Sequence, residues 1–342
     1  MYRFITVVVL LLGASACTGS AQVGTPGAST TPSTVPSPGS SAAPPAASPS
    51  PTPIALPSFT QLSAPPGDVV WALVAGTRLF RSADRGTTWA EKPLPPNFGT
   101  ANPRISFVDE REGWLAMIGS PATQCQIQRV GLIAHTADGG ATWESLTPSG
   151  IADGLCKDAL AFVDPTRGFL DAWSPNQAPF VYRTTDRGRT WTASAALPDP
   201  PGFKTQGAGF TLRPGPVRAF DSTLLLAANG LSNGTPFEYV FRSNDGGASW
   251  TYLATAQSTG ASFAFLTATR WLRIGAPGES VETTDAGVSW HAFATDYAQA
   301  APVAPEIEFG DPQTGYATVR GQLKRTLDGG AHWADIKTPG TG

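Results

Sequence analysis

The sequence predicts an all-β fold, a six-bladed β-propeller behind a signal peptide and a disordered linker rich in Pro, Ser, Ala and Thr. Three observations predict it. One nine-residue pattern recurs six times, short Val/Ile/Phe/Tyr-rich runs alternate with Gly/Pro/Asp turns, and no convincing amphipathic helix appears after residue 57. A seven-bladed ring is the less favoured count, because no leftover stretch is long enough for another blade.

The domain plan reads 1–16 signal peptide, 17–57 lipidated Cys with linker, and 58–342 propeller. Arg3 gives a short positive start, and an unbroken apolar run from Phe4 to Leu12 follows. That run is too short to span a bilayer as a helix, and the small residues Gly13, Ala14, Ser15 and Ala16 close it before Cys17. The arrangement resembles a bacterial lipobox, with Ala14 where that motif usually has Leu. The resemblance implies cleavage before Cys17 and acylation of Cys17, which would tie the chain to the lipid bilayer at the outer face of a bacterial membrane. Residues 18–57 are almost entirely Ser, Thr, Pro, Ala and Gly, so they cannot bury enough apolar surface to offset their ordering entropy. Proline makes this stretch a semi-stiff tether.

Charge excludes one class of partner. Charged residues make up 14% of the chain, the formal net charge is −3 and no basic run occurs, so nucleic acid is not an expected partner.

The repeat decides the fold. It reads Arg81-Ser82-Ala83-Asp84-Arg85-Gly86-Thr87-Thr88-Trp89, then returns with Asp138, Gly140 and Trp143, and with Asp186, Gly188 and Trp191. Three further copies carry Asp245, Gly247 and Trp250, then Asp285, Gly287 and Trp290, then Asp328, Gly330 and Trp333. The aspartates are 54, 48, 59, 40 and 43 residues apart, a period that fits one four-stranded blade. Asp is expected to close a tight turn by accepting backbone N–H bonds, Gly to supply positive φ, and Trp to pack its ring between sheets. The motif resembles the Asp box, or BNR repeat, of sialidases, sortilin-type receptors and photosystem II assembly-factor-like propellers. The resemblance implies a structural role on the turn between the third and fourth strands of each blade.

A second pattern precedes the repeat. Phe107-Val108-Asp109 leads to Gly113-Trp114, Phe162-Val163-Asp164 to Gly168-Phe169, and Phe309-Gly310-Asp311 to Gly315-Tyr316. Each looks like an inner strand, a tight turn and a second strand, and the combination resembles the photosystem II assembly-factor-like propellers. Blade 4 departs from it at Phe220-Asp221-Ser222, and blade 5 keeps only Phe265 and Trp271. The segment 59–64 is the expected terminal partner in closing the ring.

In an exported protein the remaining pair, Cys125 and Cys156, reads as a disulfide. Both cysteines fall in loops of the face opposite the repeated turns. Insertions at 119–129, 173–180, 198–216 and 229–237 fall on that face too, which makes it the expected binding face, with Trp173, Phe180, Phe203, Lys204, Phe237 and Tyr239 as candidate contacts.

No catalytic constellation stands out. His135, His291 and His332 all lie in or beside the repeats, so no metal site and no cofactor is expected. The expected function is a monomeric, non-enzymatic interaction or assembly scaffold whose partner is a protein or a glycan at the cell surface. The alternative is a carbohydrate-binding or sialidase-like glycosidase propeller. For that reading the available carboxylates are Glu238, whose neighbour Tyr239 points to the opposite face, and the pair Glu306 and Glu308 on one face of an inner strand.

Overall fold

A computed structural model describes residues 60–340, apart from 101, 120–127, 176, 206–210, 233–234, 258–261, 276–277, 298–305 and 320–321. The expected signal peptide and linker, Cys17 and Cys125 lie outside the described residues.

Six four-stranded antiparallel sheets follow one another along the chain and form a six-bladed β-propeller. The inner strands are Thr60–Ser63, Pro103–Phe107, Leu160–Phe162, Leu212–Phe220, Ser262–Phe265 and Glu306–Phe309. Alternate residues of a strand point to opposite sheet faces, and here both faces are covered by neighbouring blades. The second strand of blade 1, Val70–Val74, is therefore buried at every position. Val70, Ala72 and Val74 pack toward blade 6, whereas Trp71 and Leu73 pack toward blade 2. The buried apolar clusters repeat this plan at all six junctions between blades. The core is a ring of six seams, with no single centre.

Aromatic rings knit the seams. Phe107 lies flat on Trp71 of the preceding blade and edge-on to Trp143 of its own. Phe162 repeats the arrangement between Trp114 and Trp191. The glycines of the second pattern exist for this packing. Gly113 pairs in register with Phe107, and a Cβ there would sit 2.1 Å from the Phe107 ring. The aspartates beside them close the intervening turns, as Asp109 does by accepting the N–H groups of Arg111 and Glu112 at 2.7 Å.

Each repeated turn joins the third strand of its blade to the fourth, and all six share one hydrogen-bond scheme. In blade 1, Asp84 Oδ1 accepts from the Ser82 hydroxyl at 2.7 Å and the Thr88 N–H at 2.8 Å, and Oδ2 accepts from the Thr88 hydroxyl at 2.6 Å. The Gly86 N–H donates back to the Ser82 oxygen at 2.8 Å. Positive φ at both Arg85 and Gly86 bends the chain to permit this. At the second of those positions a Cβ would also crowd the neighbouring blade, 2.5 Å from the Ile336 terminal methyl of blade 6. The tryptophans differ in detail: Trp191 donates to its own turn at Gly188, and Trp143 reaches Pro93 of the preceding blade.

Two expectations are corrected. The strand Thr60–Ser63 pairs with Val70–Val74 inside blade 1, so among the described residues no strand is exchanged to close the ring. Closure rests on side chains instead: Tyr316 and Leu323 pack against Leu62 and Ala72, and Arg325 Nη1 donates to Arg85 O at 2.8 Å. Secondly, 229–237 is not a loop insertion. Its described residues belong to the strands Thr223–Ser232 and Thr235–Ser243 of blade 4, which have ten and nine residues where their counterparts in blades 1 to 3 have five. Asn229, Gly230 and Pro236 are turn formers by propensity, but ladder pairing across nine register positions overrides them.

Candidate functional site

The inner strands enclose a channel of about 880 Å³ to which all six blades contribute wall residues. That is a fitting size for a small-ligand site. Gln61, Arg104, Asp158, Arg213, Glu238 and Glu306 line it toward the face opposite the repeated turns, with Arg218 and Glu308 deeper.

Several of these groups hold the ring together. Glu308 Oε1 accepts the Ala64 N–H of blade 1 at 3.0 Å and pairs with Arg218 of blade 4 at 3.2 Å. One carboxylate thus ties three blades. Arg104 donates to the carbonyls of Asp158 and Pro103, which fixes blade 2 to the entrance of blade 3. Burial depresses the Arg104 pKa, and the nearby Asp158, Asp171 and Glu306 oppose that shift. Glu306 opens to the channel, yet the surrounding walls strip its carboxylate of enough water to raise its pKa; Arg104 works against the rise and Glu308 with it.

Beside the channel, blade 3 buries a carboxyl group. Asp171 Oδ1 accepts the N–H groups of Asp158 and Ala159, both at 2.7 Å, and Oδ2 has no partner among the described residues. Burial pushes Asp171 up to about 8, against the pull of those two N–H groups. Lys157, likewise fully buried, donates to Leu155 O at 2.9 Å, and burial lowers its pKa. Gln128 stitches this segment to blade 2, donating to Ile118 O and Lys157 O and accepting the Lys157 N–H.

The expected contact residues take unequal places. Trp173 is buried beside Cys156, with its indole N–H on Asp158 Oδ2 at 2.9 Å. Tyr239 is buried in the seam between blades 3 and 4. Phe203 and Phe237 pack half-buried against that seam, and Phe180 packs half-buried in the seam between blades 2 and 3. Trp173 and Tyr239 are thus spent on packing, whereas Phe180, Phe203 and Phe237 stay partly exposed beside their seams. Only Lys204 is exposed, 3.9 Å from Asp199. Their apolar character signalled packing, which sequence position on a loop could not reveal.

Glu238 and Tyr239 do point to opposite faces, Glu238 to the channel and Tyr239 into the seam. Glu306 and Glu308 both line the channel. Sequence reading missed the partners of Glu238. Arg213, Asn229 and Glu238 stand directly opposite one another on three adjacent strands of blade 4, and all three line the channel. Asn229 Nδ2 donates to Glu238 Oε1 at 2.7 Å. The Arg213 guanidinium lies over the Trp173 ring, 4.5 Å from its centroid. Desolvation pushes Glu238 up to about 7.

No protein-family model matches the sequence, and no curated protein matches it. Solved structures similar to the chain include YCF48 bound to D1 peptide, at 17% identity over 81% of this chain and 93% of that one, with a TM-score of 0.42. YCF48 from Cyanidioschyzon merolae is 16% identical over 83% and 87% of the two chains, with a TM-score of 0.47. Trypanosoma rangeli sialidase in complex with 2,3-difluorosialic acid is 14% identical, with a TM-score of 0.45. The match to the sialidase covers 72% of this chain and 49% of that one.

Proposed function

We propose that this chain is an exported, lipid-anchored propeller that acts as a non-enzymatic interaction scaffold at the outer face of a bacterial membrane, using the channel mouth opposite the repeated turns. The observation that carries this reading is that two charged groups of the channel wall, Glu308 and Arg104, are engaged in holding blades together. Glu308 is held by Ala64 and Arg218, and Arg104 is held by two backbone carbonyls. A glycoside hydrolase of the usual kind needs a carboxylate pair free to meet substrate, and Glu308, the partner of Glu306 on its strand, is held in this way. A rigid ring pinned from within offers instead a fixed platform for a partner. The lipobox-like run ending at Cys17 supports the anchor, and the tether of residues 18–57 supports display away from the bilayer.

Two measurements test it. Incubation with a panel of fluorogenic glycosides, sialosides included, is expected to give no turnover; turnover abolished by Glu306→Gln would make the channel an active site and overturn the reading. Cys17→Ser is expected to move the protein from the membrane fraction to the soluble fraction; continued membrane retention of C17S would remove the anchor from the proposal.

A further inference from the structure

The row Arg213–Asn229–Glu238 carries more than a general docking surface. Residues directly opposite on antiparallel strands share a sheet face, and neighbouring strands lie roughly 4.8 Å apart. Three functional groups therefore stand in line along the channel wall: a cation, a neutral amide and a carboxyl.

The two ends of the row are not paired with each other or with any other ion among the described residues. Arg213 is exposed, and its planar fork is held over the Trp173 ring, which the bond to Asp158 fixes in turn. Glu238 is 9% exposed and accepts a hydrogen bond from Asn229 at Oε1. Burying a carboxyl without a cation is costly, and Glu238 lies outside the apolar clusters of both flanking seams. Asn229 spends Nδ2 on Glu238, which leaves Oδ1 as an acceptor in the middle of the row.

We propose that this row binds a small zwitterion of the di- or tripeptide kind, with the ligand's carboxylate on Arg213, a backbone N–H on Asn229 Oδ1 and its ammonium on Glu238. Each position matches one chemistry: a guanidinium fork takes a carboxylate bidentately, and a desolvated carboxyl gains a counter-ion it otherwise lacks. A purely anionic ligand would leave Glu238 unmatched, and a purely cationic one would meet Arg213. Two strand spacings, roughly 10 Å between the outer backbones, suit charges several ångströms apart better than the adjacent charges of a free amino acid. The inference rests on the channel-mouth reading and names the ligand class that mouth takes.

Titration calorimetry with diglycine and triglycine tests it, alongside N-acetyl-diglycine and diglycinamide, which each lack one charge. The expected result is saturable binding of at least one free peptide, with either blocked analogue weakened at least tenfold, the effect of losing one charge-assisted bond. Arg213→Met is expected to erase the preference for a free carboxylate, and Glu238→Gln the preference for a free amine, while both variants keep the thermal transition of the parent. Equal binding of free and blocked peptides, binding that survives both substitutions, or no binding of any of the four would overturn the proposal. Glycoside turnover with no peptide binding would count against the scaffold reading as well; peptide binding without turnover would leave both standing.

Discussion

Trp71 of blade 1 lies flat against Phe107 of blade 2, with ring centroids 3.7 Å apart and planes 8° from parallel. The same pair geometry recurs one blade on, where Trp114 and Phe162 are 3.6 Å apart and 2° from parallel. In both cases the Phe reaches its partner only because a glycine lies beneath it.

Gly113→Ala should therefore break the stack. The new Cβ would lie 2.1 Å from Phe107, whose ring is already stacked on Trp71. Overpacking of this kind is expected to cost about 1–3 kcal/mol, measured as a lowered urea midpoint. Gly246→Ala is the comparison: nothing lies within 4 Å, so only its positive φ is penalised and the loss should be about 1 kcal/mol. Equal losses at the two sites would show that the glycine under the Phe serves no packing role.

Glu308→Ala removes one acceptor shared by Ala64 and Arg218. The expected loss is about 1–2 kcal/mol, since the carboxylate keeps some contact with channel water. A double-mutant cycle with Arg218→Ala should show coupling between the two positions. Additive effects would mean that the pair across the channel contributes nothing to the ring.

The repeated turns predict an acid limit. Hydrogen bonds from hydroxyl and N–H groups lower Asp84, Asp138, Asp285 and Asp328 to about 2, and burial only partly opposes them. A depressed carboxylate pKa stabilises the folded state above the unfolded value near 4, and that contribution is lost as pH falls toward the folded value. Circular dichroism across this range should show cooperative loss of structure between about pH 4 and 2. Asp171 works in the opposite sense. Its raised pKa makes folding favour the protonated form, so stability declines as pH rises from about 4 toward 8. Asp171→Asn keeps an oxygen for the two N–H groups and removes the ionisation; it is expected to raise the melting temperature more at pH 8.5 than at pH 5.

Blade 6 places His332 where the other five turns carry Ser or Thr, and its Nδ1 meets Asp328 Oδ2 at 2.6 Å. The bond to Asp328 raises the His332 pKa. The imidazolium's contribution is fully present below the unfolded value near 6.5 and fades as pH rises through the higher folded value. His332→Ser should flatten the melting temperature across neutral pH; an unchanged slope would assign that dependence elsewhere.

Cys156 is buried at the mouth of blade 3, while Cys125 lies outside the described residues. The proposed pair predicts no thiol titration of the unfolded mature domain without reductant and two thiols with it. In the chain-entropy model the link contributes roughly 3–4 kcal/mol.

Number of blades, position of the turns and identity of the turn residues were legible in the sequence, because their causes are local. Asp84 finds every one of its partners within four residues, so the pattern that makes the bonds is also the pattern that can be read. Direction of side chains along a strand was legible for the same reason, and Glu238 and Tyr239 part as the two-residue period requires. What only the tertiary structure decided is which distant groups meet. Ring closure by packing of Tyr316 on blade 1, the joining of Ala64, Arg218 and Glu308, and the burial of Trp173 and Tyr239 all depend on contacts across blades. The row of Arg213, Asn229 and Glu238 depends on the register of three strands. Hydrogen bonds inside a turn leave a fixed spacing in the chain, whereas apolar packing and ion pairing between blades accept many residue types and leave none.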